Sequence, residues 1–258
     1  MVGYYKDGQK HVQCAGRDDE NKACTNDFKC EAKDHSRDTP LGLVTAVATC
    51  ENNDVRVTHT AMFAAKDLLV SVDVSVEALS GELKDVRYMR NVDPDSRTDY
   101  KMHNVIDGQA KWDGFSFVKA YAAHAADRTG RGFGLFSSHP KSQVRIYGFH
   151  NTDPYAKDWT YWNQHHGYHG KSDQAIDMLI ELGDVSLKEA NAELFFVLDG
   201  LMKPDEIKGS AVAKRLGLRY YSPERRGHMI APPSTTFGTA AGPEPKLVCS
   251  QYATRANE

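Results

Sequence analysis

The stretch "LLVSVDVSVEAL", residues 68–79, alternates apolar and polar residues over its length. Leu68, Val70, Val72, Val74, Val76 and Ala78 fall on one face, and Ser71, Asp73, Ser75 and Glu77 on the other. A helix would scatter these apolar positions around its circumference. The pattern therefore predicts a β-strand with one buried and one polar face. "DVRVTHTAMF" repeats the alternation, with Val55, Val57, Ala61 and Phe63 on one side. Further strand candidates are 43–49, 84–91, 115–122, 132–137, 143–149, 174–182 and 191–198, most of them separated by Gly, Asn, Asp and Pro clusters.

Successive alternating strands with few helices between them predict a mainly β fold: an antiparallel β-sandwich of two large sheets, with one C-terminal helix and extended termini. The 258 residues suffice for one large domain of this kind, and a hydrophobic content of 40% supplies its core. The expected organisation is an irregular cysteine-containing segment over 1–40, the sandwich over 41–200, the helix over 201–222 and a Pro-rich extended tail over 223–258. Ile207, Ala211, Val212 and Leu216 recur at helical spacing. Pro204 suits the first turn, and Lys214 and Arg215 suit the end of the helix dipole.

Charge narrows the function. Lys and Arg total 32 against 35 Asp and Glu, a net charge of -3, and no basic stripe occurs, which argues against nucleic acid as a partner. No stretch reaches the roughly 20 apolar residues of a membrane helix, which argues against insertion by that route. "MVGYYKDGQKH" lacks the apolar core of a signal peptide, so either the protein is not exported by that path or a leader has been removed. Cys14, Cys24, Cys30, Cys50 and Cys249 do not follow zinc-ribbon spacing. They either staple the N-terminal segment in an oxidising compartment or stand reduced, and one of the five is left over.

"VRYMRNVDPDSRTDY", residues 86–100, begins as a strand with Val86, Tyr88 and Arg90 on one face and Arg87, Met89 and Asn91 on the other. Pro94 ends it near Val92, since proline donates nothing to a sheet ladder. Asn91, Asp93, Asp95 and Asp99 then offer oxygen ligands for Ca2+. The run is not an EF-hand, because Ser96 stands where that loop needs glycine and Met102 where it needs glutamate. The competing reading is an Asx/Pro turn neutralised by Arg87, Arg90 or Arg97.

The V-R-Y-x-R strand followed by D-x-D resembles a β-sandwich domain of secreted and cell-surface, adhesin-like proteins of bacteria and archaea. Thr39-Pro40 match its entry into the first strand, and "GRGFGLFSS", "KSDQAIDMLIELGDV" and "AELFFVLDG" match its later strands, so the resemblance covers about residues 38–200. It implies a β-sandwich, a secreted or surface location over an organelle lumen or the cytoplasm, and a structural or adhesive role. The chain departs from the pattern in its cysteine-bearing start, its Pro-rich tail and the lack of repeat arrays.

"DPYAKDWTYWNQHHGYHGKSDQ", residues 153–174, is the most unusual composition in the chain. Trp159, Tyr161 and Trp162 could stack on a sugar ring while His165, His166, His169 and Asn163 bond its hydroxyls, with Tyr168 in the same ligand-binding set. The same histidines could hold zinc or copper with Asp173, or the rings could simply cover a sheet face. A lyase-like arrangement would use His166 or His169 as base, Tyr168 as acid and Arg145 to neutralise a uronate. No nucleophile elbow, P-loop or dinucleotide fingerprint supports catalysis. The sequence thus favours a non-catalytic protein that self-associates or adheres through its sandwich surface and terminal arm, needing no cofactor beyond the Ca2+ named above. The alternative is a protein that binds or cleaves glycan with the 153–174 loop.

Overall fold

The inter-strand alternation places the valines of 70–76 against a second sheet. In the computed structural model, residues 1–14, 27–34, 43–64, 68–94, 102–122, 131–148, 153–157, 159, 167–186, 189–199 and 203–209 are described. They belong to the unit Met1–Ser222; a second unit, Pro223–Glu258, lies outside the described residues.

The strands are β1 (Val2–Lys6), β2 (Gln9–Gln13), β3 (Lys29–Asp34), β4 (Leu43–Glu51), β5 (Val55–Ala64), β6 (Leu69–Ala78) and β7 (Glu82–Val92). They continue with β8 (Met102–Gly108), β9 (Ser116–Tyr121), β10 (Arg131–Ser137), β11 (Ser142–Tyr147), β12 (Tyr168–Ser172), β13 (Ala175–Ser186) and β14 (Glu189–Asp199). Two short helices, α1 (Ala110–Asp113) and α2 (Pro204–Gly209), complete the described elements. Among the described residues the strands form two antiparallel sheets. One runs β11-β13-β7-β1-β2 and the other β12-β8-β9-β10-β14-β6-β5-β4-β3.

The protein is therefore an antiparallel β-sandwich. Val72, Val74 and Val76 of β6 face Val86, Tyr88 and Met178 of the five-stranded sheet in one shared core. Within it, His59 Nε2 lies 3.1 Å from the Tyr88 hydroxyl, to which Arg90 Nε also donates. Burial and the Arg90 charge hold His59 at about 3, so the imidazole is neutral between the sheets. Gln109 ties the sheets by side chain: its Nε2 donates to Val144 O at 2.6 Å and its Oε1 accepts from Val144 N at 3.1 Å.

Two expectations need correction. The segment 1–40 is not irregular throughout, since β1 and β2 form a hairpin whose Val2 and Tyr4 are buried in the core. Its two-residue turn is Asp7-Gly8, both with positive φ, the conformation that the right-handed strand twist requires. The loop 153–174 also contains a strand, because β12 pairs with β8 at the edge of the larger sheet. Of the expected 201–222 helix, α2 is described and residues 210–222 lie outside the described set. No helix of the described residues is long and apolar enough to cross a membrane.

Cys30 and Cys50 are directly opposed on β3 and β4 and form a disulfide, with Cα atoms 4.0 Å apart. Cys14 is disulfide-bonded too. Of the two readings of the N-terminal cysteines, stapling is the one realised at these positions.

Candidate functional site

The polar face of β6 points away from the core, onto the outer face of the nine-stranded sheet. Its register with β14 sets Asp73 directly opposite Glu193, and its register with β5 sets Asp73 opposite Thr60. Directly opposed residues bring their Cβ atoms to about 4.5–5.5 Å, so the two carboxyl groups share one site. Burial, and then the Asp73 charge, push the Glu193 carboxyl up to about 8. Asp73 is raised as well, by burial, although its side chain reaches solvent. At neutral pH, Glu193 is accordingly a protonated donor beside the solvent-facing Asp73 carboxyl, whose oxygens accept.

The neighbours are hydroxyl and amide groups. Ser75 lies opposite Thr58 on one side and Asn191 on the other, one row from the acids. Ser71, on the same face of β6 as Asp73, is fully buried, and its Oγ makes no hydrogen bond among the described residues. A buried hydroxyl without a partner is uncommon, and here it borders the acid pair.

The next row is aromatic. Phe117, Phe136 and Phe195 are successive cross-strand partners on β9, β10 and β14, with ring centroids 5.9 and 6.0 Å apart. Phe115 stacks on Phe136 at 5.6 Å, and Ile207 of α2 closes over the cluster. Gly134 keeps the sheet thin here: a Cβ on it would stand 3.0 Å from Phe117 Cε2 and 3.1 Å from Val118 O. Beyond this row, Lys119 is 8% exposed and pairs with Asp107 at 2.7 Å.

The residues named from sequence divide among several places. Trp159 is 6% exposed and packs on Met89 and Leu179, on the outer face of the five-stranded sheet. Its ring covers that sheet, with the Arg145 guanidinium 3.8 Å from the centroid, and is not presented as a sugar platform. Tyr168 is exposed on β12. His169, also on β12, meets His103 of β8, with Nε2 and Nδ1 3.0 Å apart and rings stacked at 5.0 Å. Tyr161, Trp162, Asn163, His165 and His166 lie outside the described residues.

The lyase-like arrangement is not assembled around Arg145, which is buried on the five-stranded sheet with its Nε bonded to Asp177. Of the proposed Ca2+ ligands, Asn91 turns its amide nitrogen to Asp177, Asp93 is exposed, and Asp95 and Asp99 lie outside the described residues. Among the described residues no group of three or more His, Cys, Asp or Glu could hold a metal ion.

Sequence reasoning put Asp73 on a polar face but did not pair it with Glu193. The alternation of each strand was visible, while the register between them was not. Nothing in the local sequence marked the row that Arg145 forms with Asp177 and Asn91.

No known family model matches the chain, and no curated protein matches it. Among experimental structures, a heparan sulfate lyase mutant from Pedobacter heparinus is similar at a TM-score of 0.40 and 12% identity, over 67% of this chain and 23% of that one. A human-microbiome protein named for kojibiose phosphorylase is similar at a TM-score of 0.37 and 11% identity, over 83% of this chain and 24% of that one. The chain thus spans less than a quarter of the length of either protein.

Proposed function

We propose that the protein binds carbohydrate on the outer face of its nine-stranded sheet, at the Asp73–Glu193 pair. The observation that carries this reading is that the two side chains are register partners in an environment that leaves Glu193 protonated and Asp73 facing solvent. A donor and an acceptor side by side match the vicinal hydroxyls of a sugar ring, which also present both. Thr58, Thr60, Ser75 and Asn191 extend the donor and acceptor set along the face. Such a site differs from the one anticipated in the 153–174 loop, because Trp159 is committed to the opposite sheet.

Self-association through a sheet edge has less support. β3, at one edge of the larger sheet, is exposed along all its residues and carries Lys29, Glu31, Lys33 and Asp34, charges that discourage strand addition. The Cys30–Cys50 disulfide fits an oxidising location such as the cell surface, in keeping with the adhesin-like domains that the strand sequence resembles.

The experiment is a screen of the labelled protein on an array of neutral and acidic glycans, repeated with Asp73→Asn and with Glu193→Met, which removes the donor that a glutamine would keep. The reading expects a defined set of ligands whose signal falls at least roughly tenfold in either variant, the loss of one side-chain hydrogen bond to the sugar. An array with no ligands, or ligands bound equally by both variants, overturns it. A catalytic role for the same pair is favoured by one fact, the protonation of Glu193 near neutral pH, which is what a general acid requires. New reducing ends released from a bound glycan, and lost in Glu193→Gln, would establish that role.

A further inference from the structure

The outer face of the five-stranded sheet carries a second polar cluster, which carbohydrate binding on the other sheet does not use. Arg145, Asp177 and Asn91 form one cross-strand row over β11, β13 and β7. Arg145 Nε donates to Asp177 Oδ2 at 2.7 Å, and Asn91 Nδ2 donates to Asp177 Oδ1. Both carboxylate oxygens are therefore engaged. The guanidinium lies against two aromatic rings, with its Cζ 3.8 Å from the Trp159 centroid and 4.9 Å from that of Tyr147.

The remaining donors of this cluster have nothing to bond. Arg145 Nη1 and Nη2 and Trp159 Nε1 are buried, and among the described residues none of them meets an acceptor. Arg145 is 1% exposed and Trp159 6%, so bulk solvent does not serve them. Two guanidinium nitrogens carry four N–H groups and the indole one more, all donors and none an acceptor. Buried polar groups of this kind are matched in stable folds, and charged ones above all. A water could accept from them but would need acceptors for its own two hydrogens. An anion needs none, and a monatomic one asks for the least room beside side chains this buried.

We propose that Arg145 Nη1 and Nη2 together with Trp159 Nε1 form a buried binding site for a small inorganic anion of the halide class. The Trp159 ring covers the site, which is independent of the acid pair on the other sheet. Charge balance comes from Asp177, which burial has already lifted to about 6. A proton taken up there with the anion keeps the cluster neutral. Arg145 from β11 and Asn91 from β7 are the groups that face this carboxyl among the described residues, with the Trp159 ring lying over the guanidinium.

The test uses the intact protein crystallised with sodium bromide, and anomalous diffraction at the bromine edge. A bromide peak within hydrogen-bonding distance of Arg145 Nη and Trp159 Nε1 is expected, and ordered water alone at those atoms overturns the proposal. In solution, melting midpoints are compared in sodium chloride and sodium gluconate at equal ionic strength and about pH 6. Chloride should raise the midpoint by roughly 2–4 °C. Trp159→Phe keeps the ring but removes Nε1, and should lose most of that shift. No shift in the parent protein, or a full shift in the variant, overturns the site.

Discussion

Asp73 and Glu193 stand directly opposite each other on β6 and β14, far apart in sequence and adjacent on the outer face of one sheet. Among the described residues neither carboxyl faces a cation in that register, and the Asp73 charge adds to burial in raising the cost of ionising Glu193. The consequence is a carboxylic acid that keeps its proton at neutral pH, held by Glu193.

That proton makes stability depend on pH. Glu193 sits at about 8 in the fold against an ordinary value of 4.5. A carboxyl raised by folding contributes stability that is fully present below its unfolded value and lost as pH rises through its folded one. The parent protein should lose stability between about pH 5 and pH 9, and Glu193→Gln should flatten the loss. The difference between the two should be on the order of 1–3 kcal/mol, allowing for the partial exposure of the group. Urea melts at both ends of that range measure it, and parallel pH profiles would contradict the assignment.

Gly3 is required by what lies over it. A Cβ at this position would stand 2.5 Å from Pro154 Cγ and 2.6 Å from Tyr155 Cε2. The Tyr155 ring is held there by Arg87, whose Cζ lies 4.6 Å from its centroid, and by its own hydroxyl donating to Asp85 O. Gly3→Ala should cost about 1–3 kcal/mol through overpacking while leaving the far-ultraviolet dichroism unchanged. A red shift of tryptophan fluorescence would show that displacing Pro154 and Tyr155 also disturbs the packing of Trp159 on Met89 and Leu179. An unchanged melting midpoint would mean that the cover shifts freely.

Asp177 compensates a charge that nothing else among the described residues reaches. In gluconate, with no halide offered, Asp177→Asn leaves Arg145 buried without a counter-charge and should destabilise by about 3–5 kcal/mol. Asp184→Asn removes an exposed partner of Lys84 and should leave the melting midpoint where it is. Comparable losses in the two variants would show that the Arg145–Asp177 pair is solvated.

Reduction of the Cys30–Cys50 disulfide acts on an edge. β3 is exposed along its length and hydrogen-bonds to β4 alone among the described strands. Under a reducing agent, amide exchange should accelerate over 29–34 while β6 and β14, in the middle of the sheet, keep their protection. Acceleration across both regions would show that the disulfide stabilises the whole sandwich.

How far the sequence reached follows from what each signal measures. β5, β6 and β7 were legible because their apolar residues alternate toward a single core, and Tyr88 and Arg90 face inward as the pattern required. The β1–β2 hairpin was hidden by its polar second strand, although Asp7-Gly8 carried the turn signal. β12 escaped because an edge strand with Tyr168 and His169 exposed has no apolar face to alternate. The aromatic run suggested a surface platform, yet burial of Trp159 follows from the apolar Met89 and Leu179 on a sheet face that needed covering. The acid pair was illegible for a different reason. Alternation gives the face of Asp73 and of Glu193 separately, but only the β6–β14 register brings them together.

The most direct test of the account is titration calorimetry of a glycan bound by the parent protein against Asp73→Asn, Glu193→Met and Trp159→Phe. The account predicts that the first two weaken binding at least roughly tenfold while each still melts cooperatively, and that Trp159→Phe binds as the parent does. Binding that survives both acid substitutions, or that is lost only with Trp159, would contradict the placement of the site on the nine-stranded sheet.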